Sequence, residues 1–196
     1  MSSQIDVLIL GIWVNSSDIG IYAVARRLSN LALFVPLIFD IVIPPKYAVL
    51  YANKAHESLQ NLVSSSAQLM TIAAIFVCTP FIFIPRLFLG IYGEQFVDGA
   101  LVLVIISIGQ FINVATGLMG RLLIMTGHEH LERTNTVGNF LLYLALNIAL
   151  IPQYGILGAA IAVSIAVILK SIITSYLVWL KLDIFIWRLP RKGKSS

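Results

Sequence analysis

Residues 134–180 read TNTVGNFLLYLALNIALIPQYGILGAAIAVSIAVILKSIITSYLVWL, a stretch with a single charged residue, Lys170. The apolar run 134–151 is halted by Pro152, Gln153-Tyr154-Gly155 supplies a short turn, and a second run covers 156–180. Proline inside a helix removes a hydrogen bond, and ~18 or more apolar residues are enough to cross a bilayer. The stretch therefore reads as two membrane spans joined by a tight turn.

Working outward, the same pattern recurs. Apolar runs lie at 96–118, at 62–84 (closed by Pro85-Arg86) and at 19–43 (closed by Pro44-Pro45). At ~1.5 Å per residue each run can cross ~30 Å of hydrocarbon. Residues 5–14 are apolar too, but ten residues reach only ~15 Å. They precede the turn Asn15-Ser16-Ser17-Asp18, so a truncated first span is expected. Polar connections are expected at 46–61 and 120–133. The predicted fold is an all-α polytopic membrane helix bundle of five full spans and one partial N-terminal span. It occupies residues 1–180, with a basic tail at 181–196.

Composition agrees. Of 196 residues, 59% are hydrophobic and 11% charged, and the mean hydropathy is +0.93. A soluble domain carries about 25% charged residues, so a soluble enzyme, a nucleic-acid-binding domain and a secreted disulfide scaffold are all excluded. The lone cysteine, Cys78, lies in an apolar run and reads as an inert buried thiol. No cleavable signal peptide is visible at Met1–Gln4.

Alternate connections fall on opposite sides of the membrane, which allows the basic residues to be sorted. One side collects Lys46, Lys54, Arg121, Arg133, Lys181, Arg188, Arg191, Lys192 and Lys194, and the other has Arg86 alone. Positive residues favour the cytoplasmic side, so the tail is expected there. Trp13 and Tyr154 then fall at the outer interface, and Tyr47 and Trp179 at the inner one.

Three cations remain inside spans: Arg26, Arg27 and Lys170. Charge at such depth costs ~2.5–3.5 kcal/mol per residue on insertion scales and marks function by default. Two readings stand. One is a cationic cavity for an anionic substrate. The other is structural pairing with Asp6, which lies at a depth similar to that of the arginines. Adjacent Arg26 and Arg27 point ~100° apart on a helix, so one acid is not expected to neutralise both.

Polar residues form stripes beside them. Asn135, Asn139, Tyr143 and Asn147 recur every four residues on the fifth span. Gln110, Asn113 and Gly117 do so on the fourth, with Thr116 beside them. Gly158, Ala162, Ala166, Lys170 and Thr174 do so on the sixth. Singly, such residues serve interhelical hydrogen bonding and close packing; together with buried cations they suggest a polar lumen. Pro36 is expected to kink the second span. His128-Glu129-His130 lacks the spacing of a helical zinc motif and reads as a solvated loop. Asn15-Ser16-Ser17 fits the glycosylation pattern, which matters only in a secretory pathway. No nucleophile–base set, phosphate-cradling loop or metal cluster is visible, so neither an enzyme nor a cofactor is expected.

The order of several short motifs is familiar. Asp6-Val7-Leu8-Ile9-Leu10-Gly11, Ile19-Gly20-Ile21-Tyr22 and Ala25-Arg26-Arg27-Leu28 resemble the carboxy-terminal half of polysaccharide (O-antigen) flippases. That superfamily also holds multidrug and toxic-compound extrusion transporters. Gly93-Glu94-Gln95-Phe96 through Ala100, Leu123-Ile124-Met125-Thr126-Gly127-His128 and 150–160 (LIPQYGILGAA) extend the resemblance over residues 5–180.

The resemblance implies two six-helix lobes around a central cavity, of which this chain holds one. It also implies movement of an undecaprenyl-diphosphate-linked oligosaccharide from inner to outer leaflet, in a bacterial inner membrane. Cationic cavity residues would hold the diphosphate. Arg27 matches the family's arginine after Tyr-x-x-Ala-x, whereas Arg26 and Lys170 rest on depth alone. Asn113, Gln110, Asn139, Tyr143 and Asn147 would line the cavity, and Asp6 would serve ion coupling. The expected partners are the lipid-linked substrate, membrane lipid and a separate amino-terminal lobe, with a homodimer as the alternative. A drug-extrusion lobe and a non-transporting scaffold or remnant are the rival functions.

Overall fold

The computed structural model describes residues 5–185. All regular structure among them is helical. Helix α1 (Ile5–Trp13) is short and ends where Asn15 turns extended. Helix α2 (Ser16–Ser29) passes through a 3₁₀ turn at Asn30–Leu33 into α3 (Phe34–Ala52). That interruption sits just ahead of Pro36. A proline there denies the Ala32 carbonyl its helical N–H and crowds it with the ring, which is how proline bends a helix.

Two connections expected from polar composition are helical instead. α3 does not stop at Pro44-Pro45 but continues to Ala52. Each proline ring fixes a φ that a helix accepts, and the lost hydrogen bonds are offset by packing: Ile43, Pro44 and Tyr47 are buried. Tyr47 is accordingly a core residue, 1% exposed, rather than an interfacial one. After a turn at 53–55, α4 (His56–Phe83) begins inside the expected loop, because Leu59 and Val63 recur at helical spacing and are buried. The exposed residues His56, Glu57 and Ser58 supply the misleading polarity.

Helix α5 (Pro85–Gly90) and a 3₁₀ segment at Glu94–Gly99 lead into α6 (Ala100–Thr116). Gly117 then breaks the chain at φ 59°, ψ −124°, a backbone state essentially reserved for glycine. A Cβ there would also meet Met70 Sδ at 2.9 Å. The expected loop 120–133 is largely absent too: α7 (Met119–Met125) buries Met119, Leu122 and Leu123 at i, i+3, i+4 spacing. Helix α8 follows at once (Glu129–Leu182).

Within α8, Gly155 adopts φ 56°, ψ −131° and folds the helix into an antiparallel hairpin of residues 129–154 and 156–182. Asn135 in the first half donates to Thr174 Oγ1 in the second at 2.8 Å, which fixes their register. The chain is thus a polytopic membrane helix bundle.

Helix α6 is central, touching α2, α4 and α8. It approaches α8 closely because Gly109 faces Ser164, whose hydroxyl donates to the Ile105 carbonyl at 2.9 Å. One buried cluster gathers Tyr47, Leu59, Met70, Leu122 and Leu123. The other gathers Leu10, Tyr22, Leu103, Ile106 and Ile151. Large apolar side chains also cover the outside, among them Ile12, Ile41, Phe76 and Ile148. A surface of that kind belongs against hydrocarbon rather than water.

Candidate functional site

Two polar clusters stand out. The first joins α1, α2 and α8. Asp6, fully buried, forms an ion pair with Arg26. Tyr22 donates to Asp6 Oδ2 at 2.5 Å, and Arg26 Nη1 donates to Tyr22 Oη at 2.9 Å. Tyr22 and Arg26 are one helical turn apart, so they share the face of α2 that meets α1. A buried carboxylate costs several kcal/mol in lost hydration, and the guanidinium and the phenol offset it.

Several other buried polar atoms make no protein hydrogen bond among the described residues. Asp6 Oδ1, Asn139 Oδ1, Tyr143 Oη and Asn147 Oδ1 are all buried and unbonded. Asn147 spends its amide on the Tyr143 carbonyl of its own helix, at 2.7 Å.

The second cluster lines a cleft of about 420 Å³ between α3, α6, α7 and both halves of α8. Lys170 Nζ lies 3.3 Å from Glu132 Oε1, and Arg121 Nη2 lies 2.6 Å from Asp40 Oδ2. Glu132 also accepts from Thr174 Oγ1 at 3.1 Å. Asn113 reaches the cleft from α6. It donates to Gln110, which donates to Asn30 at 3.2 Å, in an amide chain beside the 3₁₀ turn.

The three membrane-depth cations are therefore distributed rather than gathered. Arg26 is taken up by Asp6, the pairing that depth suggests. Lys170 lines the cleft. Arg27 is exposed and makes no ion pair among the described residues. Gln110 and Asn113 approach the cleft, whereas Tyr143 and Asn147 are buried with the first cluster's polar atoms. The stripe on the sixth span divides: Gly158, Ala162 and Ala166 are packing residues, and only Lys170 and Thr174 reach the cleft.

Asp40, Arg121 and Glu132 are cleft residues that the sequence does not single out. Asp40 carries a signal, being an acid inside the apolar run 19–43. Glu132 continues the Asn135–Asn139 face three residues earlier, and Arg121 is hidden in a supposed loop. His128, which precedes α8, and His130, in its first turn, have ring centroids 6.5 Å apart, and neither lines the cleft. Arg188, Arg191, Lys192 and Lys194 lie outside the described residues.

Comparison with known proteins gives this arrangement a context. The chain is 24% identical over 177 residues, 89% of its length, to the probable low-salt glycan biosynthesis flippase Agl15 of Haloferax volcanii. It is 26% identical over 176 residues, 87% of its length, to the probable flippase AglR of the same organism. The chain is similar to flippases. It spans 37% of the length of each of these two relatives. No protein-family model and no solved structure matches it. The similarity and the apolar helices together describe a flippase-like integral membrane protein.

Proposed function

We propose that this chain is the carboxy-terminal lobe of a flippase that carries a lipid-linked oligosaccharide from the inner to the outer leaflet. It would act by rocking against an amino-terminal lobe. The observation that carries this reading is the cleft. Its volume falls in the ~300–1,000 Å³ range of ligand sites, and two cations and the Asn113 amide share its wall. Lys170 and Arg121 suit a phosphate, while Asn113 and Thr174 suit sugar hydroxyls. Arg27, exposed and free of any ion pair among the described residues, is a further proposed phosphate contact. Asp6, fully buried and with its Oδ1 unbonded among the described residues, is the proposed coupling group for a proton or a sodium ion. No bond-making chemistry is involved, and no cofactor is needed.

The loop charges support a lobe in the cytoplasmic membrane with its carboxy terminus inside. A second copy is the less favoured partner, because pairing two copies would crowd like charges into one cavity. Complementation tests the whole reading. In a flippase-deficient strain, this chain together with an amino-terminal lobe restores surface glycan, and neither does so alone. Failure with both lobes inserted in the membrane overturns it.

A further inference from the structure

The cleft holds two cations and two carboxylates, so its formal charge is zero: Asp40 and Arg121, Glu132 and Lys170. An anion site would be expected to keep its cations open. Here each is engaged, but incompletely. Arg121 meets Asp40 through one guanidinium nitrogen and one oxygen, short of the two-point fork that makes such pairs strong. The other Asp40 oxygen is unbonded among the described residues. Lys170 is held at a longer distance, and the Arg121 and Lys170 side chains are 51% and 36% exposed. Glu132 keeps the Thr174 hydroxyl when Lys170 leaves it. Both cations sit on long side chains that can turn a few ångströms without moving a helix.

We infer that Asp40 and Glu132 are built-in competitors for a phosphate-bearing anion, which enters the cleft by displacing them from Arg121 and Lys170. This rests on the proposed function and deepens it. Internal carboxylates keep the unloaded cleft neutral around Lys170, where a bare cation inside a span is costly. They also cap affinity, which a carrier requires because it must release what it binds. A site without them would hold its anion too long.

The distinguishing prediction is that removing negative charge from the cleft tightens binding. The full chain in nanodiscs is titrated with inorganic pyrophosphate and, separately, with a short prenyl diphosphate. A partly exposed ion pair is worth about a factor of three. Asp40→Asn and Glu132→Gln each then tighten binding about threefold, and the double variant does so about tenfold. Adding Arg121→Ala and Lys170→Ala to the double variant abolishes binding.

Unchanged or weaker binding by the Asn and Gln variants, with unaltered unfolding midpoints, overturns the inference while leaving the flippase reading intact. No binding by any variant overturns the cleft as an anion site. Tightening for pyrophosphate but not for the prenyl diphosphate supports the exchange, names a soluble phosphate as occupant and counts against the flippase reading. Should the double variant fail to insert, the two single variants carry the same test.

Discussion

Gln60 grips both backbone polar groups of Phe185. Its Nε2 donates to the Phe185 carbonyl at 2.6 Å, and its Oε1 accepts from the Phe185 N–H at 2.9 Å. Asp183, left-handed at φ 54°, turns the chain out of α8, so that Ile184 is buried and Phe185 comes to rest on α4. One side chain thereby satisfies two main-chain groups just beyond the last helix. Gln60→Ala should lower stability by about 1–3 kcal/mol. It should also speed proteolytic clipping after Leu182 in detergent, and unchanged clipping would refute the clasp.

Arg26 and Arg27 are neighbours with opposite expectations. Arg26→Ala strands the Asp6 carboxylate in a dry site, for a loss of about 3–5 kcal/mol. The double variant Asp6→Asn, Arg26→Gln recovers much of that loss, because no unpaired charge remains. Unfolding midpoints in one detergent check both, and an Arg26→Ala variant as stable as the parent would dissolve the ion pair's structural role.

Arg27 is exposed and makes no ion pair among the described residues. Arg27→Ala should leave the unfolding midpoint unchanged yet abolish surface glycan in the two-lobe complementation assay. Arg27→Lys should keep part of the export, since charge survives while the bidentate fork is lost. Normal export by the alanine variant at normal protein level removes Arg27 from the substrate path.

Gly117 separates α6 from α7 at a positive φ. Gly117→Ala should cost about 1–3 kcal/mol, read as a lower melting temperature. A methyl group added at Gly138 would meet nothing within 4 Å, and the backbone there is ordinary helix. Gly138→Ala should therefore raise stability by about 0.4–1 kcal/mol. Equal effects at the two sites would contradict the assigned break.

Membrane orientation is open to chemical labelling. Cysteines at Ser16 and Tyr154, both exposed at chain turns, should react with an impermeant thiol reagent from outside. Cysteines at Asn53 and Ser195 should react only after permeabilisation. Reversed labelling would invert the orientation argued from loop charge.

Bundle class is legible because uninterrupted apolar runs have few physical interpretations. Connections are harder. Pro44-Pro45 looks like a stop, since proline's penalty is local and visible in sequence. The burial of Ile43 and Tyr47 that outweighs it is tertiary. At 46–61 and 120–133 the polar and charged residues suggest loops, yet Leu59–Val63 and Met119–Leu122–Leu123 carry a helical period in plain view.

The Asp6–Arg26 pair can be anticipated from matched depth. The pairing of Lys170 with Glu132 cannot, because the residues around Glu132 read as a loop. Only the register of the hairpin, anchored at Asn135 and Thr174, brings the two together.

The hairpin at Gly155 also bears on how the protein is made. Glu132 leaves the ribosome thirty-eight residues ahead of Lys170, and the lysine returns to it at 3.3 Å once the chain folds back. A cation that would resist entering hydrocarbon alone thus finds its counter-charge already waiting on the preceding helix. The two helices can enter the bilayer with that buried cation already neutralised by its partner, and Gly155 is the joint that makes the pairing possible during biogenesis.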